Sequence, residues 1–425
     1  MNKGDSEIMA HSLFKAGFAE TVSDIEADIL VFNTCSVRQH AEERVLSRIG
    51  SIKNKLKDNC IIVMAGCMAQ RSGQSLLEQR LVDIVIGPYE SPKIGEIVTE
   101  YFSDSSKNLF NSQAIEDFQP RLVFDTAHNM DEFPWHKWVT ITHGCGNFCS
   151  YCIVPYVRGS LISFPSEKII EYVKNLTLKG IYEVTLLGQN VNQYGENKDI
   201  PFYKLLEKIS GIAGLSKINF ITSHPKDFDE NTIRVIRNNE NISRSIHLPL
   251  QSGSNSILKA MNRKYTREHY LNIIEKIEKN LDVFSISTDL IVGFPGESRK
   301  DFDDTIDMVK KINFDDAFMY AYSPREGTAA FNLTEKISSE EKINRLNTLI
   351  QLQPKISKEK LMLRINCQEE MIVERISKRS GEEVMGKTFL NHPVITPGIA
   401  ADIGKKIKIL ITELKGNTLY GKRIA

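Results

Sequence analysis

Short apolar runs alternating with polar, helix-compatible stretches restrict this chain's fold more than any other feature. ADILVFNT (27–34), CIIVMAG (60–66) and VDIVIG (82–87) each end in turn-type residues. A second series starts at 137. It comprises KWVTIT (137–142), YEVTLLG (182–188), KINFIT (217–222), SIHLPL (245–250), the core of FSISTDLIVG (284–293) and AFMYAY (317–322). A strand covered on both faces reads as a nearly unbroken apolar run, and strands alternating with helices build parallel sheets. The first series therefore predicts an N-terminal parallel-sheet α/β domain. The six βα units of the second predict a partial (β/α)6 barrel. In such folds the chemistry sits on loops at the C-terminal ends of the strands. Helix signals agree. Phe302, Ile306, Val309 and Ile312 recur at helical spacing behind Ser298 as N-cap, and Ser338 with Glu341 forms a capping-box pattern before a helix running toward Pro354.

The tail, 361–425, changes character. EEMIVERIS, NHPVIT, KKIKILITEL and TLYGKRI are short strands broken by Gly, Pro and Asn, the pattern of a small antiparallel β-barrel. Lys plus Arg (54) equals Asp plus Glu (54) over the whole chain, so any basic surface is local. The tail holds 11 Lys and Arg against 7 Asp and Glu, which makes it the best-placed segment for a phosphate backbone. The polar stretch 104–130, opening SDSSKN, reads as a linker. Domains at 1–103, 131–360 and 361–425 result. The opening MNKGDSEIMA lacks a signal-like apolar run, and no stretch reaches the length of a membrane span. Seven cysteines are too sparse for a disulfide scaffold and point to metal or redox chemistry in the cytoplasm.

Three of those cysteines, Cys145, Cys149 and Cys152, crowd into HGCGNFCSYCIVPYVRG (143–159), directly after the first strand of the second series. A cubane iron–sulfur cluster has four irons, usually held by thiolates. Three thiolates leave one iron open to a chelating substrate. Two other readings exist: a zinc site completed by His143, although structural zinc favours well-separated cysteine pairs, and three incidental buried thiols. Cys35 and Cys67 each lie just past the C-terminal end of a predicted strand, where open α/β sheets place ligands. Cys60 opens a strand and Cys367 sits in the tail; both read as small buried hydrophobes. Arg158 reads as a solvated surface residue or a ligand contact, His224 and His247 as structural hydrogen-bonding partners, and GFPGE (293–297) as a tight turn.

The C-x3-C-x-aromatic-C spacing, with Tyr151 as the aromatic, resembles the radical S-adenosylmethionine (SAM) superfamily. GCGNFCSYCIVPYVRG, NTCSVRQHAEERV (33–45), GCMAQR (66–71), LLGQNVNQYG (186–195), HLPLQSGSN (247–255), RKYTRE (263–268), DLIVGFPGE (289–297) and YSPREGTAAF (322–331) closely resemble the methylthiotransferase family, in order and over nearly the whole chain. The tail resembles a TRAM domain, an RNA-contacting module. NTCSVR with CIVPYVRG is most similar to the MiaB branch, which modifies the isopentenylated adenosine beside the tRNA anticodon. The resemblance implies a 4Fe-4S cluster on Cys145, Cys149 and Cys152 whose open iron chelates SAM. It also implies a second, sulfur-donating 4Fe-4S cluster on ligands that include Cys35 and Cys67, and a second SAM as methyl donor. Gly188, Gln189, Ser223 and Gln251 would line the SAM pocket, although each also suits a turn or cap. The implied partners are the tRNA anticodon stem-loop and an electron donor such as flavodoxin or ferredoxin, acting on a monomer.

The family's N-terminal domain uses three cysteines for the second cluster, the first in a GCQMN stretch after the opening strand. MNKGDSE aligns with the residues just after that cysteine, so strand and ligand lie outside this sequence. Cys60 is seven residues before Cys67, about 20 Å along a strand at ~3.3 Å per residue, too far to substitute. Either Met1 is an internal methionine of a longer protein, or the chain is a truncation that binds RNA and cleaves SAM without inserting sulfur. A different tRNA adenosine or a ribosomal protein are the alternative substrates.

Overall fold

The computed structural model describes residues 2–34, 39–103, 109–111, 133–196, 199–334, 337–378 and 380–424. Cys35 and most of the stretch read as a linker lie outside them. The chain forms two compact units: Met1–Asp131 with Trp138–Phe164 and Arg325–Thr328, and Glu132–Lys137 with Pro165–Pro324 and Ala329–Ala425.

The first unit runs α1 (Asn2–Lys15), β1 (Ile29–Asn33), α2 (Gln39–Ile52), β2 (Ile61–Ala65), α3 (Cys67–Glu78), β3 (Ile84–Ile86), α4 (Ile94–Ser103) and β4 (Leu109–Asn111). Its four strands form one parallel sheet in the order β1-β2-β3-β4. Alternate residues of a strand face opposite sides. Ile61, Val63, Ala65, Ile84 and Ile86 accordingly pack with Met9, Ile94, Ile97 and Val98 on one face. Ile62, Met64 and Val85 pack with Ile49, Met68, Leu76 and Leu77 on the other. Two covered faces explain why these strands read as unbroken apolar runs. β1 is half-buried along its whole length, as an edge strand is. β4 falls within the stretch expected to be linker; three residues pairing with β3 leave too short a pattern to read.

β5 (His136–Thr140), β6 (Thr142–His143), α5 (Val154–Arg158) and β7 (Ile162–Ser163) come next. The second unit then alternates α6 (Ser166–Leu178), β8 (Glu183–Leu187), α7 (Phe202–Ser210), β9 (Lys217–Phe220), α8 (Glu230–Asn238), β10 (Ser245–His247), α9 (Asn255–Ala260), α10 (Arg267–Asn280), β11 (Ser285–Val292), α11 (Arg299–Ile312) and β12 (Asp316–Ala321). The six expected strands form two three-stranded sheets, β5-β8-β9 and β10-β11-β12, with a parallel bridge between Ile218 and Ile242. Ser298 caps α11 in a capping box whose partner is Asp301.

Asp301 also accepts hydrogen bonds from Ser254 and Ser256, tying the loop after β10 to α11. Burial pushes its carboxyl up, but hydrogen bonds from Ser254, Ser256 and Ser298 outweigh that and hold it down to about 2, against a usual 3.8. A depressed carboxyl stabilises the fold above its unfolded pKa and loses that contribution as pH falls through the folded value. Asp301→Asn is expected to cost about 1 kcal/mol near neutrality, since the group is largely solvated. The gap to the parent chain should close between pH 4 and pH 2 in urea titrations. A gap independent of pH would contradict this.

α12 (Ser339–Met362) runs straight through Pro354 rather than stopping near it. Proline removes one helical hydrogen bond, but the turn around it is fastened from outside. Buried Gln353 donates to the Phe314 carbonyl at 2.7 Å, and Ile356 is buried. The Ser338 hydroxyl caps the Glu341 amide as expected, while the Glu341 carboxylate pairs with Arg345.

The tail closes into a five-stranded barrel of β13 (Gln368–Ile376), β14 (Glu383–Thr388), β15 (Pro393–Pro397), β16 (Lys406–Lys415) and β17 (Thr418–Arg423), in the order β13-β14-β15-β17-β16. Every pairing is antiparallel except β15 with β17. β14 was not expected, because Gly386 interrupts its pattern. That glycine is required by the fold: a Cβ there would lie 2.0 Å from the Ile372 carbonyl oxygen of β13. Ser243 and Ser285 donate to the Phe389 and Leu390 carbonyls at 2.8 Å, seating the barrel at the N-terminal ends of β10 and β11.

Candidate active site

The three-cysteine loop belongs to the first unit. Its ends are held by the antiparallel β6–β7 pairing of Thr142 with Ser163 and His143 with Ile162. Gly144 has φ +70°, and a Cβ there would stand 2.0 Å from the Ser160 carbonyl oxygen, so only glycine admits the returning chain. The Cys145 amide donates to the Gly159 carbonyl at 3.1 Å, and the Cys152 amide to Cys149 at 3.0 Å. Cys149 is buried; Cys145, Tyr151 and Cys152 are half-buried. α5 then turns its apolar side inward, and Ile153 and Val157 form one buried cluster with Cys67. Cys67 opens α3. Its neighbour Gly66 has φ +87° and leaves no space for a side chain beside Asn33 and Thr34. Local spacing placed these cysteines on two loops; the fold brings the loops together.

Arg158 stands between them, and its position differs from the sequence reading. It is 2% exposed, not solvated. Its Nη2 pairs with the Asp5 carboxylate of α1, and its Nε donates to the Cys67 Sγ at 3.1 Å. Burial pushes the Asp5 carboxyl up, but the Arg158 charge and hydrogen bond with the His143 charge together outweigh it, and the net effect is downward. Desolvation and the Arg158 cation lower His143 to about 4, and its ring packs against Phe164 at 5.6 Å and Tyr89 at 6.4 Å. Burial pushes Tyr89 up to about 12. Glu42 of α2 binds Arg71 of α3 at 2.8 Å and Arg325 at 3.3 Å, and both arginines converge on it from separate segments. Asp5, Glu42, Tyr89 and Arg325 escaped the sequence reading. Each is an ordinary polar residue whose partner lies far along the chain. Cys60 lies before β2, at the opposite end of that strand from Cys67, and burial raises its pKa. Among the described residues, no three His, Cys, Asp or Glu side chains converge as a single metal ion would need.

The second unit carries the other expected contacts. Gly188 and Gln189 come after β8, Ser223 after β9 and Gln251 after β10. Thr222 (φ +70°) and Gln251 (φ +68°) adopt left-handed backbone, rare for such residues and common at ligand sites. Gln251 is locked there by its amide on the Asp289 carbonyl and its carbonyl on the Ile291 amide, at 2.8 and 2.9 Å. Buried polar atoms are normally paired. Here Gln189 Oε1, Asn192 Oδ1 and Nδ2, Ser223 Oγ, His224 Nε2 and Gln251 Oε1 are buried without a partner among the described residues. All belong to loops after β8, β9 and β10, where a barrel presents a ligand. His247 is a structural partner, bonded to Ser287 at 3.0 Å and Asp289 at 3.3 Å.

The chain matches the radical SAM superfamily over residues 139–309, the uncharacterized protein family UPF0004 over 1–87 and the TRAM domain over 369–424. It is 43% identical over 437 residues to a tRNA-2-methylthio-N(6)-dimethylallyladenosine synthase of Thermoanaerobacter pseudethanolicus, covering 100% of this chain and 90% of that protein. The chain belongs to this synthase family. A second family member, from Natranaerobius thermophilus, is 39% identical over 429 residues, covering 99% of this chain and 94% of that protein. A solved radical SAM methyltransferase, TsrM of Kitasatospora setae with cobalamin and a 4Fe-4S cluster bound, shares the fold alone. It has a TM-score of 0.57 at 12% identity, covering 77% of this chain and 74% of that one.

Synthases of this family use SAM and 4Fe-4S clusters, and the residues present fit both. Three thiols on one closed loop would suffice as the donor set of a cluster with one open corner. The unpaired amide, hydroxyl and imidazole atoms of the second unit are donors and acceptors of the kind a polar nucleoside ligand would engage.

Proposed function

We propose that the chain transfers a methylthio group to C2 of the N6-isopentenyladenosine next to the anticodon in tRNA. The observation that carries this reading is the packing of Cys67 against Ile153 and Val157 of the three-cysteine loop inside one compact unit. Cys145, Cys149 and Cys152 would hold the cluster that supplies an electron to SAM, and Cys67 with Cys35 would hold the sulfur-donating cluster. Gly188, Gln189, Ser223 and Gln251 would bind SAM, with Asn192 and His224 added to that set, and Tyr151 would shield the first cluster. On this reading residues 1–103 carry the sulfur donor, 131–360 the radical chemistry and 361–425 the RNA contact. Exposed Lys408 and Lys422 on the outer strands of the terminal barrel suit a phosphate backbone. A flavodoxin or ferredoxin supplies electrons to a monomer in the cytoplasm.

Mass analysis of digested tRNA from a strain lacking the gene, with and without the gene restored, tests the assignment. The 2-methylthio adenosine should vanish and return. Unchanged levels, or loss confined to a ribosomal protein, would overturn it.

A further inference from the structure

Asp5 and Arg158 hold Cys67 in a contact whose two charged partners have no role in the proposed transfer. Arg158 sits on the last turn of α5, which the three-cysteine loop feeds directly. Its fork reaches two elements far away in sequence: Nη2 to Asp5 on α1 and Nε to Cys67 at the start of α3. The third donor group, Nη1, is buried with no partner among the described residues. A buried guanidinium with a spare hydrogen is costly unless an acceptor is present for it. Arginine also does here what lysine cannot, because a planar fork serves two acceptors in fixed directions at once.

We propose that Arg158 is a positioning residue that clamps Cys67 for the sulfur-donating cluster, with its unused Nη1–H reserved for an acceptor carried by that cluster. The inference rests on the reading that Cys67 is a ligand of that cluster. Residues beyond the ligands commonly set both the affinity and the potential of a metal centre, through hydrogen bonds to its sulfurs. The clamp also makes the two cysteine loops one mechanical piece, because the residue that fixes Cys67 is delivered by the loop of Cys145, Cys149 and Cys152.

The test uses the full chain with Cys145, Cys149 and Cys152 all changed to Ala, so that iron bound after anaerobic reconstitution reports on the Cys67 site. With Arg158 intact this chain should bind iron that a further Cys67→Ala change removes. Arg158→Met in the same background should retain less than about a third of that iron. Any remaining cluster should be reduced at a lower potential with an altered EPR signal, because a cation and a hydrogen-bond donor have gone. Arg158→Lys should restore part of the iron but not the potential. Circular dichroism melts check that each chain folds. If Arg158→Met does not fold, Asp5→Asn takes its place: it leaves the guanidinium but removes the anion that balances it, and should shift the potential in the opposite direction, upward. Equal iron with unchanged potential and EPR signal in the folded variant overturns the proposal. A background chain that binds no iron with Arg158 intact overturns the Cys67 reading itself, and the clamp with it.

Discussion

Cys149→Ala is expected to abolish reductive cleavage of SAM and to remove about four irons from each reconstituted chain. Residues one shell beyond a metal ligand already cost 10–100-fold on mutation, so losing a ligand should cost about 100-fold or more. The substitution is mild for the fold. Cys149 is buried, its backbone carbonyl accepts from the Cys152 amide, and alanine fits the same space. The measurement is 5′-deoxyadenosine formed per chain under dithionite without oxygen, beside an iron assay and a melt. Cys60→Ala is the matched control, since it alters a half-buried thiol at the far end of β2 and should leave both readouts unchanged. A Cys149→Ala chain that cleaves SAM at the parent rate would refute the assignment of the loop.

The largest expected loss of stability comes from Glu297→Gln. Glu297 sits in the GFPGE turn with its side chain wholly buried. Its Oε2 accepts from the Gly293 amide and from Arg345 Nη1, the latter at 2.8 Å, and Arg345 also donates to the Glu297 carbonyl at 3.0 Å. Glutamine would leave the nearly buried Arg345 with the half-exposed Glu341 as its remaining counter-charge. Stranding a buried charge costs about 3–5 kcal/mol, and the Glu341 carboxylate offsets part of that here. Much of that penalty belongs to the stranded cation, so Glu297→Gln with Arg345→Met should recover part of it. Urea unfolding of the single and double variants measures both quantities. A loss below about 1 kcal/mol for the single variant would mean that water reaches Arg345 in solution. The turn is thus the socket for α12, and Gly293 completes it: a Cβ at its φ of +72° would lie 2.4 Å from the Lys342 Cγ.

The features legible beforehand were local. The strands β1, β2, β3, β8, β9 and β11 could be read because both faces are covered, which writes burial into consecutive residues. The three-cysteine loop could be read because ligand spacing is a property of the covalent chain. β14 could not: Gly386 looks like a breaker until the backbone of β13 is seen pressed against it. Pro354 looked like a terminator until Gln353 was seen fastened to Phe314. Arg158 looked solvated because its acceptors, Asp5 and Cys67, lie 153 and 91 residues away. By itself the sequence determined which strands form, which thiols share a loop and where polar residues come after a strand. Only the tertiary structure decided which charges are buried, and against what. Burial of a charge depends on partners brought from distant segments, and a linear pattern carries no record of them.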